Sequence, residues 1–104
     1  MMEESEFINL CEESLNEIAD LLEQKDVNSM LDIEYLDGIL ELEIIDENLK
    51  YIINRNSGNQ KIWYSSPFSG VDYFSYDASK KSWQNDHGLE LTAKILQELD
   101  KYFN

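Results

Sequence analysis

Carboxylates are the side chains of this sequence most able to do chemistry. The chain has 22 Asp and Glu residues against 8 Lys and Arg residues, which gives a formal net charge of −14 at pH 7. In the segment CEESLNEIADLLEQKD, residues 11–26, the acids recur at the three- and four-residue spacing of one helix face. Like charges at that spacing destabilise a helix by about 0.2–0.5 kcal/mol per pair. The pattern therefore predicts a cation or a basic partner that offsets the repulsion.

An acidic surface of this kind favours weak metal binding. Carboxylate oxygens are hard ligands that suit hard cations, and a surface cluster attracts such cations without a preformed cage. We expect binding that is weak, multiple and poorly selective. A solvated helix face without a ligand is the alternative interpretation. It is less favoured because no lysine lies at i,i+4 to pair with the acids, and because an acidic strand follows.

The single cysteine and the single histidine limit the other chemistry available. Cys11 alone cannot form an internal disulfide or a cysteine-built metal site, and its position on the apolar side of a helix pattern predicts core packing. His87 alone excludes a two-histidine motif or a catalytic triad within one chain, and we expect it in a loop. A nucleophile elbow and a glycine-rich phosphate loop are both absent from the sequence. We therefore do not expect an enzyme.

The charge is distributed unevenly along the chain. Residues 1–49 hold 16 acidic residues and one basic residue, whereas residues 50–104 hold six acidic and seven basic residues. The acidic half would repel nucleic-acid phosphates and anionic membranes, and it would attract cations and basic protein surfaces. The N-terminal MMEESEF lacks the features of a signal peptide, and no apolar run approaches about 18 residues. We expect a cytoplasmic protein.

The hydrophobic pattern predicts which elements carry these acids. Apolar residues follow the helical period from residue 5 to residue 24, with the acids on the opposite side and Ser5 as the expected N-cap. The period then changes to alternation, which predicts strands near 30–36 and 39–45 joined by a hairpin turn at Asp37-Gly38.

Four further strands and a final helix complete the predicted fold. LKYIINR, QKIWYS, DYFSY and KSWQ are separated by turn residues, and LELTAKILQELDKYF has an apolar stripe at Leu91, Ile95, Leu99 and Phe103. We predict a single α+β domain over residues 1–104, a two-layer α-β sandwich. Its N- and C-terminal helices would pack on one face of an antiparallel sheet of about six strands. The other face would meet water and expose Trp63 as part of a docking surface, with Trp83 in the core.

The stretch from residue 51 to residue 70 carries a family resemblance. It contains YIINRN, then NQKIWYSSP, then SG, and in this order the motifs resemble those of the frataxins, in particular the short bacterial (CyaY-type) branch. The resemblance extends over nearly the whole chain. It includes SEF at the start of an acidic first helix, an acidic first strand, Trp83, a turn at Gly88 and a closing helix.

This resemblance implies a function in iron–sulfur cluster assembly. Frataxins bind ferrous and ferric iron weakly through carboxylates, and they dock on cysteine desulfurase and its scaffold protein; bacterial members are regulators of the desulfurase. Carried over to this chain, the metal-binding residues are Glu12, Glu13, Glu17, Asp20, Glu23, Asp26, Asp32 and Glu34. The partner-binding residues are Glu17, Asp20, Glu23, Asn54, Lys61 and Trp63.

Two other functions remain open at this point. One is an acidic module that imitates nucleic acid and occupies the groove of a basic protein. The other is a ferroxidase that oxidises iron with the same carboxylates. We expect a monomer, with metal-driven oligomers as an open alternative.

Overall fold

The computed structural model describes residues 2–103 and has a helix at each end of a six-stranded sheet. The elements are α1 (Glu4–Lys25), β1 (Leu31–Leu36), β2 (Ile39–Ile44), β3 (Leu49–Asn56), β4 (Lys61–Ser66), β5 (Gly70–Asp77), β6 (Ser82–Gln84) and α2 (Leu91–Leu99). Short 3-10 turns cover Ile45–Glu47 and Asp100–Tyr102. Each strand pairs antiparallel with its neighbour in the chain, so the sheet order is β1 to β6. The predicted α+β sandwich is confirmed.

The sheet is buried on one face only. In β2, Leu40, Leu42 and Ile44 are fully buried, and the residues between them carry the acids. Successive side chains of a strand point to opposite faces, so this alternation assigns one face to the helices and the other to water. The inward-facing residues of the other strands and the buried sides of the two helices complete the core, which includes Cys11, whose predicted burial is confirmed.

The start of α1 differs from the sequence expectation. The helix begins at Glu4, its N-cap is Glu3, and Ser5 lies inside the first turn. The Met2 backbone N–H donates to Gln60 Oε1 at 3.2 Å, and Gln60 Nε2 donates back to the Met2 carbonyl at 2.7 Å. The prediction of Ser5 as the N-cap was wrong: Glu3 is the N-cap, and the contact from the β3–β4 turn holds the residue just before it.

The β1–β2 hairpin tip is tied to β3 by Arg55. Asp37 and Gly38 both have positive φ, 53° and 81°, as a tight two-residue hairpin turn requires. A Cβ added to Gly38 would lie 2.6 Å from Arg55 Nη1, so the guanidinium packs directly on the glycine backbone. The Arg55 N–H donates to the Gly38 carbonyl at 3.0 Å, and Arg55 Nη2 lies 3.6 Å from Asp37 Oδ1. The tip therefore has a defined position relative to the sheet.

The C-terminal helix α2 starts at an acidic cap and ends in a 3-10 turn. The Glu90 carboxylate accepts hydrogen bonds from the backbone N–H groups of Thr92 and Ala93 and caps α2. The predicted buried stripe is confirmed at Leu91, Ile95 and Leu99. Beyond Leu99 the chain tightens into a 3-10 turn with three residues per turn, which buries Tyr102 and leaves Phe103, expected in the stripe, half-buried.

Glu98 joins α2 to the turn between β4 and β5. Its carboxylate accepts hydrogen bonds from the Ser66 hydroxyl at 2.5 Å, the Ser69 hydroxyl at 2.8 Å and the Tyr51 hydroxyl at 2.9 Å. The Ser66 hydroxyl in turn accepts the backbone N–H of Phe68 and of Ser69. The SSPFSG segment is therefore a turn anchored by one carboxylate.

The environment of Glu98 makes its charge a stabilising feature. Burial raises the pKa of Glu98, but the hydrogen bonds that its carboxylate accepts outweigh burial and lower the pKa below its ordinary value of 4.5. A carboxyl whose pKa is lower in the folded state adds stability above its unfolded pKa and loses that stability as the pH falls through the folded value. This contribution is therefore complete at neutral pH and is lost progressively as the pH falls from about 4.5 through the lower pKa of the folded state.

We predict that Glu98→Gln lowers the free energy of unfolding at neutral pH by about 1–3 kcal/mol, because three hydroxyls lose a charged acceptor. Urea denaturation across the acidic range is the measurement, and the variant should lose less stability than the wild type as the pH falls. Asp86→Asn, which changes an exposed acid in the β6–α2 turn, is the control. Parallel pH profiles for Glu98→Gln and the wild type would contradict this account.

Candidate functional site: an acidic helix ridge and an exposed sheet face

The solvent side of α1 carries a row of exposed acids, which we call the helix ridge. Its members are Glu12, Glu13, Glu17, Asp20 and Glu23, and each is exposed. The buried side of the same helix holds Phe7, Leu15 and Leu22, which fixes the rotation of the helix and turns the acids outward. Lys25 is the only basic residue in α1. The structure brings these five predicted residues together on one surface.

Asp26 has a different role from the ridge acids. One carboxylate oxygen accepts the Met30 N–H at 2.8 Å and the other accepts the Leu31 N–H at 2.9 Å. These bonds close the connection from α1 into β1. Both oxygens are already engaged by the backbone, so Asp26 has less free ligand capacity than the five exposed acids.

Asp32 and Glu34 lie in the sheet layer of the sandwich, whereas the ridge acids lie in the helix layer. Their neighbours Leu31, Ile33 and Tyr35 pack toward the helices, so both acids project from the outer face of β1. The family resemblance grouped them with the ridge acids as metal-binding residues. The ridge acids face outward from the helix layer and these two acids face outward from the sheet layer, at its edge strand β1.

Two further acids, Glu41 and Glu43, join Asp32 and Glu34 on the outer face. Glu34 is directly opposite Glu41 and Asp32 is directly opposite Glu43 across the β1–β2 pair. The four carboxylates, which we call the sheet acids, line a small cleft of about 60 Å³ together with Lys50. Lys50 pairs opposite Glu43 on β3. The sequence analysis did not select Glu41 and Glu43, although the alternation in ILELEI already puts both on one face.

Neither acidic surface contains a preformed metal cage. Within residues 2–103, no group of three or more His, Cys, Asp or Glu side chains is arranged to hold a metal ion. Burial raises the pKa of the Cys11 thiol to about 12, an effect that nearby Arg55 only partly opposes, so the thiol stays protonated at neutral pH. His87 is exposed in its turn. These surfaces can concentrate cations through their charge, and any direct ligation must come from mobile surface carboxylates.

The three predicted partner residues of the sheet share its outer face. Trp63 is 40% exposed, as predicted, and Trp83 is 3% exposed in the core, as predicted. Asn54 lies directly opposite Trp63 on β3, and Lys61 precedes Trp63 by two residues on β4, so all three project on the same side. Trp63 packs edge-on against Tyr73 with ring centroids 5.5 Å apart and an interplanar angle of 88°. The centre of this face is therefore an exposed aromatic pair.

Comparison with known proteins decides the family. The family model of the frataxin-like domain matches residues 1–104. The chain belongs to the frataxin family. It is 37% identical over 82 residues to the iron-sulfur cluster assembly protein CyaY of Thioalkalivibrio sulfidiphilus, a match that covers 78% of this chain and 75% of that protein. It is 32% identical over 82 residues to mitochondrial frataxin of Dictyostelium discoideum, covering 78% of this chain and 42% of that protein.

Solved frataxin structures have the same fold. A frataxin from Psychromonas ingrahamii superposes with a TM-score of 0.77 at 25% identity, over 95% of this chain and 93% of that chain. The trimeric frataxin of the yeast Saccharomyces cerevisiae, in a ferrous complex, superposes with a TM-score of 0.73 at 28% identity, over 99% of this chain and 88% of that chain. Among residues 2–103 of this frataxin-family chain, neither helix has the length and hydropathy needed to cross a membrane.

We predict that Glu41→Gln raises the free energy of unfolding by about 0.2–1 kcal/mol, because it removes like-charge repulsion from Glu34 directly across the strand pair. Glu43→Gln is the matched control, since it removes repulsion from Asp32 but also loses its neighbour Lys50, and it should change stability less. Thermal denaturation at low and high salt is the measurement, and the gain should shrink as salt screens the charges. A gain that is independent of salt would refute this explanation.

Proposed function

We propose that this protein binds iron weakly and regulates iron–sulfur cluster assembly by docking on cysteine desulfurase and on its scaffold protein. Membership of the frataxin family and the similarity to a CyaY protein named for cluster assembly support this function. The observation that carries the proposal is that one small domain has two separate exposed surfaces, the acidic helix ridge and the aromatic sheet face. Two surfaces allow two partners to bind at once.

The helix ridge is the surface for the desulfurase. Its side chains are exposed, and the acidic half of the chain produces a field that accelerates encounter with a basic protein surface. Because the ridge is built on a regular helix with a buried opposite face, it is a rigid surface that needs little ordering on binding. Glu17, Asp20 and Glu23 are the residues we assign to this contact.

The outer sheet face is the surface for the scaffold protein. Exposed aromatic residues are frequent at the centres of protein interfaces, and Trp63 has a rigid position beside Tyr73. Asn54 and Lys61 add polar groups around Trp63. This arrangement supports docking by Asn54, Lys61 and Trp63 in a single contact.

Iron is the cargo or the signal in this proposal, and the same acids attract it. The yeast frataxin of similar fold forms a ferrous complex, which supports an association with iron in this chain. The ridge acids Glu12, Glu13, Glu17, Asp20 and Glu23 are the main ligands we assign, with Asp32 and Glu34 as a second group and Asp26 contributing less because of its backbone bonds. The protein acts by docking in the cytoplasm, without turnover of a substrate.

We predict that the triple variant Glu17→Lys, Asp20→Lys, Glu23→Lys loses binding to the cognate cysteine desulfurase, because the charge of the ridge is reversed. Trp63→Ala should keep desulfurase binding and weaken the scaffold contact by tenfold or more, about 1.4 kcal/mol or more. Calorimetric titration with each purified partner, together with sulfide production by the desulfurase, is the measurement.

A control for the position of the added charge is Asp86→Lys with Gln97→Lys, which adds half as much positive charge as the triple variant at exposed residues of the β6–α2 turn and α2. It should bind both partners as the wild type does. Equal losses of both partners in the ridge variant and in Trp63→Ala would contradict the division into two surfaces. Retention of a DNA-binding protein without any desulfurase binding would favour the nucleic-acid mimic instead.

We further predict that ferrous iron under anaerobic conditions raises the melting temperature, because a cation that binds the folded form stabilises it by mass action. Sodium chloride should also raise it by screening the acids. The triple lysine variant should lose most of the iron response. A flat response of the wild type would mean that the acids do not act as an iron site, and oxygen consumption that is catalytic in protein would favour the ferroxidase.

A further inference from the structure

The outer sheet face exposes several large apolar side chains besides Trp63. Leu36 is 79% exposed, Val71 63%, Tyr73 42% and Trp63 40%. Ile39 and Ile52 are also exposed, so six large apolar side chains face solvent on this one side. Soluble monomers rarely leave contiguous apolar surface of this kind uncovered unless it binds another molecule.

Strand register makes these residues one continuous surface. Leu36 is opposite Ile39, Ile39 is opposite Asn54, Asn54 is opposite Trp63, and Trp63 is opposite Tyr73. Residues directly opposite on one sheet face have Cβ atoms about 4.5–5.5 Å apart. The row therefore crosses five strands, from the β1–β2 hairpin tip to β5, and Asn54 is its one polar member.

Ile52 and Val71 widen the row on one side. Ile52 is opposite Ser65, and Ser65 is opposite Val71, in the next line of side chains on the same face. Ile52 is also opposite Glu41, so the apolar surface passes directly into the sheet acids. The face thus has an apolar centre and one acidic edge.

The hairpin tip is held rigidly for a contact. Arg55 packs on Gly38 and bonds to its carbonyl, which fixes Leu36 and Ile39 on either side of the turn. A surface that is already ordered loses little conformational entropy on binding. Leu36 is therefore an exposed apolar side chain on a part of the backbone that is already ordered.

Charge indicates which occupant fits this face. The sheet acids repel one another across the β1–β2 pair, and within the described residues that line their cleft Lys50 is the one basic side chain. A second copy of this chain would add a charge of −14 to the same complex, which opposes self-association. A basic protein surface instead relieves the repulsion and covers the apolar row.

We propose that the outer sheet face, from Leu36 to Tyr73, is the footprint of one partner protein whose surface is apolar opposite the row and basic opposite the sheet acids. In this footprint Leu36 and Ile39 at the hairpin tip contact the partner together with Trp63. The inference rests on the proposed function, in which the scaffold protein is the partner of this face. It adds the hairpin tip and the acidic edge to the contact.

The first test compares two aspartate substitutions by calorimetric titration with the cognate scaffold protein. Leu36→Asp should weaken binding at least tenfold, because it puts a carboxylate in the apolar row. Val27→Asp is the matched control. Val27 is 75% exposed in the turn after α1, outside the sheet, and the substitution changes the net charge equally, so binding should change less than twofold.

Leu36→Ser is a second variant that adds no charge, and it should weaken binding at least threefold. The melting temperature of each variant verifies that it is folded. Binding that falls with Trp63→Ala but is unchanged in both Leu36 variants would overturn the footprint and leave the proposed function standing. A wild-type protein that fails to bind the scaffold would overturn the scaffold part of the proposed function and the footprint with it.

The second test examines the acidic edge. Glu41→Gln should weaken scaffold binding at least threefold and reduce its dependence on salt, while the same substitution stabilises the free protein. A substitution that raises stability and lowers affinity separates a binding role from a structural one. Unchanged affinity and unchanged salt dependence would remove the basic edge from the proposed partner surface.

Discussion

Two helices can cover only one face of this six-stranded sheet, and most of the surface chemistry follows from that limit. Strand alternation sends Leu40, Leu42 and Ile44 to the helices and leaves every second side chain in water. Uncompensated carboxylates cannot be buried at acceptable cost, so they occupy the two remaining surfaces, the outer side of α1 and the outer side of the sheet. The two surfaces face outward from different layers of the sandwich, with the edge strand β1 between them.

A few polar contacts hold these surfaces in position. Arg55 fixes the hairpin tip through Gly38, and Glu98 fixes the β4–β5 turn through hydroxyls of the underlying strands and the turn itself. Gln60 fixes the start of α1, and the Asp26 carboxylate fixes its end. Each contact holds a turn or a helix end. The ladder hydrogen bonds of the sheet do not hold these parts of the chain. The exposed faces are therefore rigid although the molecule is small.

The sequence predicted both helices, all six strands and the exposure of Trp63, because each rests on a local period of hydrophobic residues or on a turn signal. Its errors were at long-range contacts. Ser5 has a good N-cap side chain, yet the N-cap is Glu3, and the residue before it, Met2, is hydrogen-bonded to Gln60, 58 residues away in the chain. The assignment of Asp26 as a metal ligand came from the family resemblance and stays a prediction, whereas its hydrogen bonds to the backbone of Met30 and Leu31 could not be read from the sequence. The residue type alone does not show whether a carboxylate will face water or accept a hydrogen bond from a backbone N–H.

The sequence by itself determined the fold class, the family resemblance and the excess of acids in the first half, since periodicity, motif order and composition are properties of the chain. Tertiary structure alone decided how those acids are divided. Strand pairing set Glu41 and Glu43 beside Asp32 and Glu34 and separated all four from the helix ridge. Pairing register likewise aligned Leu36 with Trp63 across intervening strands. The Asp37-Gly38 hairpin turn sets the β1–β2 register locally, but the alignment of Leu36 with Trp63 also depends on the pairing of β2 with β3 and of β3 with β4, which the buried face of each strand specifies.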